Sequence, residues 1–408
     1  MKHLKRPTIR SMFCMFLFLF VFNVHAIVTA QEWVASWGSS MQGVSPEDWS
    51  LTDASIRLIA RSSISGDRVR IRLENTYGQE ALQIKKASIG IQNITASLVE
   101  GSLREIRFAG SDGVRIDAGN YVISDPITLS VQAEQSLAVT LYISDANVRS
   151  SIHRGAITTS YITETGAGDR TANINGEPYV LTTTSMHWLS AVEVFSSSAA
   201  GAIVAFGDSI TDGSCATVDG HDRWEDVLHT RLFESMSSPR LGMINAGIGG
   251  NTAIRVPPVT STPAVERMDR DVLSLSGITH LIVFLGTNDL RRGATSQQVI
   301  EGLEEIITRG KFKGLKVIAA TIIPRNPRPR RGLPADLGFG EEENVRRHNI
   351  NEWIRQNDVL DAVLDFDLVV KDAENMDLID SNYDCDGIHP NIFGYAAMGR
   401  SIDLQIFN

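Results

Sequence analysis

The spacing of apolar residues changes once along this chain, near residue 196, and that change splits it into two folding problems. Before it, Val69, Ile71 and Leu73 alternate with Arg68, Arg70, Arg72 and Glu74, and Leu137, Val139, Leu141 and Ile143 repeat the same period of two. Strict alternation buries one face of a strand and wets the other, the pattern of an antiparallel sheet. Turn-forming groups such as Ser65-Gly66-Asp67, Tyr77-Gly78 and Ser111-Asp112-Gly113 fall between these runs. No convincing helical stretch interrupts them. The economical expectation for residues 31–195 is an antiparallel β-sandwich, jelly-roll-like in character.

A small-residue stretch, 196–200, reads as a linker, and beyond it the apolar runs become continuous, at 203–206, 243–246, 281–285, 317–323 and 362–366. Runs of that kind fit strands buried on both faces, as in a parallel sheet. Between them, Trp224, Val227, Leu228 and Leu232 share one helical face, as do Val299, Leu303, Ile306 and Ile307, and again Ile350, Trp353 and Ile354. Strand alternating with helix predicts a doubly wound α/β domain over 201–408, in which ligands gather at the carboxyl ends of the strands.

The first thirty residues belong to neither pattern. Lys2, Lys5, Arg6 and Arg10 precede a short apolar run at 12–24 that ends in small residues, with cleavage expected after Ala26 or Ala30. That order describes a secretory signal peptide, and the run is too short for a membrane span. Loss of these four cations takes the net charge from −10 to −14. A secreted or periplasmic acidic protein is a poor partner for nucleic acid, whose binding depends on neutralising phosphates. With 408 residues, 43% hydrophobic and 21% charged, the chain can bury a core without a metal or staple, and no cofactor is called for. Cys215 and Cys385 survive processing, and two thiols in an oxidising compartment can pair if they lie close enough.

Four segments follow predicted strands and carry the chemistry. In Gly207-Asp208-Ser209-Ile210-Thr211-Asp212-Gly213, a serine on a glycine-flanked turn can expose its hydroxyl, although an N-cap serine explains the segment equally well. In the second, 245–251, the glycines let backbone amides approach a substrate, and Thr252 breaks any dinucleotide-binding fingerprint. In the third, Gly286-Thr287-Asn288-Asp289, an asparagine amide at a strand edge can donate to a developing negative oxygen, or simply form a turn. In the fourth, Asp384-Cys385-Asp386-Gly387-Ile388-His389-Pro390, a carboxylate three residues from an imidazole can fix its tautomer. Asp384, Asp386 and His389 could instead ligate a metal, but no second histidine-rich segment stands out to complete such a site.

The order and strand-end placement of these four segments resemble the SGNH, or GDSL, hydrolases, a family named for a Ser, a Gly, an Asn and a His in four blocks. The resemblance covers roughly 201–408 and implies a flavodoxin-like three-layer α/β/α fold. It implies Ser209 as nucleophile, His389 as its base and Asp386 as the residue orienting that base. The amides of Ser209 and Gly250 and the side chain of Asn288 would hold the oxyanion, with Asp208, Asp212, Asn251 and Asp289 supporting them. If that geometry holds, Cys215 and Cys385 border one cleft and a disulfide between them is expected. The absence of G-x-S-x-G sets the chain apart from the ordinary α/β-hydrolases. The first half resembles the β-sandwich preceding the esterase domain of some bacterial members, on Trp33-Val34-Ala35-Ser36-Trp37 and the strand at 68–75 before Tyr77-Gly78.

The function so expected is hydrolysis of a carboxylic ester through an acyl-enzyme, with an acylated polysaccharide or oligosaccharide as substrate. A lipase or arylesterase acting on short acyl chains, a catalytically silent carbohydrate-binding protein and a metal-dependent hydrolase are the rivals. The basic segment 324–331 (P-R-N-P-R-P-R-R) lies after a predicted strand, and the stretch from it to Glu343 reads as loop, either a lip over the site or a solvated surface.

Overall fold

Alternation in the first half becomes strand wherever it was read. The computed structural model describes Met1, residues 32–327 and residues 338–408; the expected signal peptide and the segment 328–337 lie outside the described residues. Glu32–Gly38, Leu189–Ser196, Gly66–Glu74 and Ile127–Val131 form one antiparallel sheet, with Tyr121–Ile123 also paired to Gly66–Glu74. Ala54–Arg61 and Ser136–Ile143 form the centre of a six-stranded second sheet. Inward residues from both, among them Val69, Ile71, Leu58 and Val139, meet in one apolar core.

In the second half every sheet pairing is parallel. The strands are β1 (Ala199–Gly207), β2 (Arg240–Gly247), β3 (Ile278–Phe284), β4 (Lys316–Ala320) and β5 (Ala362–Leu364), in the spatial order β2-β1-β3-β4-β5. That is the flavodoxin-like order, which reverses direction at β1 and opens a crevice at the carboxyl ends of β1 and β3. Ile203 and Ala205 of β1 pack with Trp224 and Leu228 of helix α1 (Trp224–Glu234) and with Tyr395 and Met398 of the C-terminal helix Ile392–Ser401. Val204 and Phe206 share the opposite core with Val299 and Leu303 of α2 (Ser296–Phe312) and Ile350 of α3 (Glu341–Gln356). Helices thus cover both faces, as the continuous apolar runs require.

The structure departs from the sequence reading at two places. Three of the five residues 196–200 belong to strands, and only Ser197 and Ser198 separate the end of Leu189–Ser196 from the start of β1. Ser196 Oγ accepts the N–H groups of Ser198 (3.3 Å) and Ala199 (3.2 Å), so the small residues make a tight turn rather than a tether. The stretch read as loop up to Glu343 gives way to helix at Glu341, where Glu341, Glu342 and Glu343 place negative charge in the first turn. The C-terminal helix ends at Ser401, and a short 3₁₀ turn, Leu404–Phe407, follows it.

The polar face of the first sheet is not left to solvent. Arg70 Nη2 donates to Ser276 Oγ at 3.0 Å and Arg72 Nη1 to Ser274 Oγ at 2.8 Å, and Arg72 is only 2% exposed. The same junction seals the open edge of the parallel sheet. Ser63 Oγ accepts the outward N–H of Met243 in edge strand β2 at 2.9 Å, a main-chain donor that a strand edge otherwise leaves unpaired. The approach is close enough that a Cβ at Gly242 would sit 2.1 Å from the Ala35 carbonyl oxygen, which only glycine avoids. No helix among the described residues is long and apolar enough to cross a membrane.

Candidate active site

Four loops converge at the carboxyl end of the parallel sheet. Ser209 opens a single helical turn, Ser209–Asp212, directly after β1. Its N-cap is Asp208, whose carboxylate accepts the N–H of Ile210 at 3.0 Å, so the serine hydroxyl is not used as a cap. Ser209 Oγ instead lies 2.9 Å from His389 Nε2. The other imidazole nitrogen, Nδ1, lies 2.9 Å from Asp386 Oδ2 and 3.1 Å from Oδ1. Ser209 and His389 are buried at 7% and 6% exposure, and Asp386 is half-buried.

Asp386 is held rigidly in the charged form. Its Oδ1 also accepts the backbone N–H groups of Ile388 (3.1 Å) and His389 (3.0 Å). Burial alone would push this carboxyl up, but bonding and charge from His389, with the two amides, outweigh it and hold the group well below the usual carboxylate range.

The second loop follows β2. Asp212 Oδ2 takes the Gly249 N–H at 2.8 Å, and Gly250 next to it has φ +71°, in the left-handed region glycine tolerates. The third follows β3, where Asn288 Nδ2 donates to the Asn251 carbonyl at 2.9 Å. Asp289 ties these two loops together, accepting the N–H of Ala253 (2.9 Å) and of Ile254 (3.1 Å). Burial, partly offset by those two amides, pushes the Asp289 carboxyl up to about 6. Asn251 braces the same turn, accepting from Arg267 Nε at 3.0 Å and donating to Ser261 Oγ and Thr262 O, both at 2.9 Å. Asp208 is pushed up to about 7 by burial, countered by the Ile210 amide and the nearby Arg325 charge.

A disulfide joins Cys215 to Cys385 across 170 residues of sequence. It fastens the loop after Ser209 to the residue immediately before Asp386, so the loops that carry the serine and the Asp–His pair are cross-linked. Of the alternative metal set, Asp384 is turned away, accepting from Asn326 Nδ2 (2.8 Å) and from the Gly387 N–H (2.6 Å). The group of potential ligand atoms found among the described residues is Cys215, Asp386 and His389, and there the sulfur is already committed to the disulfide.

Arg325 was not singled out from the sequence, where it sits in a basic proline-rich segment read as lip or surface. The structure buries it at 3% exposure, donating through Nε to Thr287 Oγ1 (2.8 Å) and through Nη2 to Asn288 Oδ1 (2.9 Å). Its neighbour Asn326 donates its backbone N–H to Gly387 O at 2.7 Å, so the segment clamps the Asn288 turn to the Asp–His loop. Arg325 on Oδ1 and the Asn251 carbonyl on Nδ2 together fix the orientation of the Asn288 amide. Arg325→Met keeps the stem and loses the fork; kcat on p-nitrophenyl acetate is expected to fall about 10- to 100-fold, less than removal of a whole oxyanion donor, with KM nearly unchanged. Parental kcat in this variant would show that the Asn251 carbonyl alone holds Asn288 in place.

A strand-end serine paired to a histidine, and that histidine to an aspartate, is the arrangement of a serine-type hydrolase. Residues 205–397 match the GDSL-like lipase/acylhydrolase family, and the second half of the chain is a hydrolase domain of that family. No curated protein matches the sequence. Solved structures similar to it include an aryl esterase of M. smegmatis (20% identity, TM-score 0.40, 50% of this chain and 96% of that one). Two more are Est24, a carbohydrate acetylesterase from Sinorhizobium meliloti (18%, 0.39, 49% and 95%), and a GDSL-like lipase from Bacteroides thetaiotaomicron (20%, 0.38, 50% and 87%).

Proposed function

We propose that this chain is an exported serine esterase that removes acyl groups, acetyl foremost, from polysaccharides or oligosaccharides. The observation that carries the mechanism is His389 bridging Ser209 Oγ and Asp386 Oδ2, each at 2.9 Å. Ser209 Oγ attacks the ester carbonyl as His389 Nε2 takes its proton, and Asp386 stabilises the imidazolium. The tetrahedral oxyanion is received by the amides of Ser209 and Gly250 and by Asn288 Nδ2. Collapse expels the alcohol, which leaves with the proton from Nε2; water then repeats the sequence on the acyl-enzyme and releases the carboxylate.

Export rests on the basic–apolar–small order of residues 1–30 and agrees with a disulfide beside the site. We read 31–195 as a β-sandwich accessory domain, supported by its two antiparallel sheets around one core, and 201–408 as the hydrolase domain. A sugar alcohol is favoured by the polar rim beside Gly250, where Arg292 Nη2 donates to the Gly250 carbonyl (2.9 Å) and to Thr260 Oγ1 (3.0 Å). The test is acetate release from a panel of acetylated glycans beside p-nitrophenyl esters of rising chain length, after chelator treatment and with a fluorophosphonate trap. Release from a glycan, unaffected by chelator, with the phosphonate mapped to Ser209, is expected. Preference for long acyl chains over every glycan sinks the substrate class, and chelator-sensitive activity sinks the mechanism.

A further inference from the structure

One buried chain of bonds crosses from the antiparallel half into the candidate site. His153 ends the short strand Ser151–His153 and is 4% exposed. Its Nδ1 lies 2.8 Å from the Ser40 carbonyl oxygen, and its Nε2 lies 2.9 Å from Asp212 Oδ1. Asp212 stands three residues after Ser209, and its second oxygen is the one that accepts the Gly249 N–H. A carbonyl oxygen and an ionised carboxylate are both acceptors, so the two ring nitrogens must both donate and the imidazole is cationic. Burial works against that charge, but the charge and hydrogen bond of Asp212, helped by the Ser40 carbonyl, outweigh it and raise the pKa. The neighbouring backbone closes in as well: a Cβ at Gly155 would stand 3.1 Å from Asp212 Oδ2.

We propose that His153 is a positioning residue for the esterase reaction, holding the oxyanion turn in place through Asp212. The carboxylate has two oxygens and two duties: one is pinned by His153, and the other therefore points at the Gly249 amide. Pinning Gly249 fixes the peptide leading into Gly250, the donor assigned to the oxyanion. With the imidazolium gone, the carboxylate swings freely and the turn loses its anchor. The antiparallel half is then part of the catalytic apparatus and not merely an attached module. The inference rests on Ser209 and Gly250 having the roles proposed above.

A buried pair could equally be simple glue, so the readout must separate rate from stability. His153→Ala is expected to lower kcat about 10- to 100-fold, the scale of a misplaced oxyanion donor, with KM changed by less than about threefold. Asp212→Ala should lose as much, and the double variant no more than either single one, since one relay is cut in both cases. Asp212→Asn should restore most of the rate: its Nδ2 donates to a neutral His153 and its Oδ1 still accepts from Gly249. Arg72→Met loosens the same junction at Ser274 without touching the relay and should keep parental kcat. Parental kcat in His153→Ala, or an equal loss in Arg72→Met, overturns the proposal. Should His153→Ala not fold, Asn and Ala at position 212 decide it, and equal rates in those two overturn it. Ser209→Ala assayed alongside tells the two readings apart: activity there removes the esterase mechanism itself, whereas an inactive Ser209→Ala with an unimpaired His153→Ala removes only the relay.

Discussion

Ser209→Ala is expected to lower kcat about 10⁵- to 10⁶-fold on every ester tested, with KM changed by less than about threefold. The substitution removes one oxygen atom and little else. Asp208, not Ser209, caps the helical turn, so its N-terminus keeps its side-chain acceptor. Substrate contacts made by the rest of the cleft survive, which is why KM holds while the rate collapses. The remaining rate comes from the oxyanion donors acting on a water attack, a residue of catalysis over solution that persists when a nucleophile is removed. Steady-state kinetics on p-nitrophenyl acetate with a thermal melt for each protein measures both halves of the expectation. A folded variant retaining more than about a hundredth of parental kcat would mean that another group attacks the ester, and the reading of the loops around β1, β2 and β3 would fail with it.

The parts of this site that could be read from sequence are those in which chemistry follows a strand by a few residues. Ser209, Gly250 and Asn288 each stand just after a continuous apolar run, and such a run marks both a buried strand and the end of the sheet at which its loop emerges. Asp386 and His389 are three residues apart, so one loop brings them together whatever the rest of the fold does. What stayed hidden depends on contacts across long sequence separations. Arg325 looks solvated beside Pro324 and Pro327, and its burial follows only once Thr287 and Asn288 arrive from the neighbouring strand's loop. His153 meets Asp212 across 59 residues, and nothing in Ser151-Ile152-His153 announces it. The alternation of Arg70, Arg72 and Glu74 correctly marks a polar face, yet a period of two says nothing about whether water or another layer of the same protein covers it. Residues 196–200 mislead for a related reason: small residues permit a flexible tether and a tight strand-to-strand turn alike, and the packing of both halves against each other selects the turn.

Asp386→Asn is expected to cost kcat about 10⁴-fold, less than losing the nucleophile, without displacing the loop. Oδ1 of Asp386 serves two backbone amides, at Ile388 and His389, and an asparagine oxygen can serve both unchanged. Its amide nitrogen then takes the place of Oδ2, 2.9 Å from His389 Nδ1. An NH₂ donates where a carboxylate accepts, so Nδ1 must become the acceptor and the ring proton moves to Nε2. That proton now faces Ser209 Oγ, and the imidazole can no longer take the hydroxyl proton. The stability consequence has a definite sign. The Asp386 carboxyl is held below its ordinary value, so the stability it contributes is present above the unfolded carboxylate range and is lost as pH falls through the depressed folded value. Asp386→Asn should therefore melt lower than the parent at neutral pH, and the gap should narrow steadily as melts are taken below about pH 4. The kinetic and thermal measurements answer separate questions. A variant with parental kcat would show that something other than Asp386 sets the tautomer of His389, whereas a melting gap that widened toward acid would show that the carboxyl is raised rather than depressed in the folded protein.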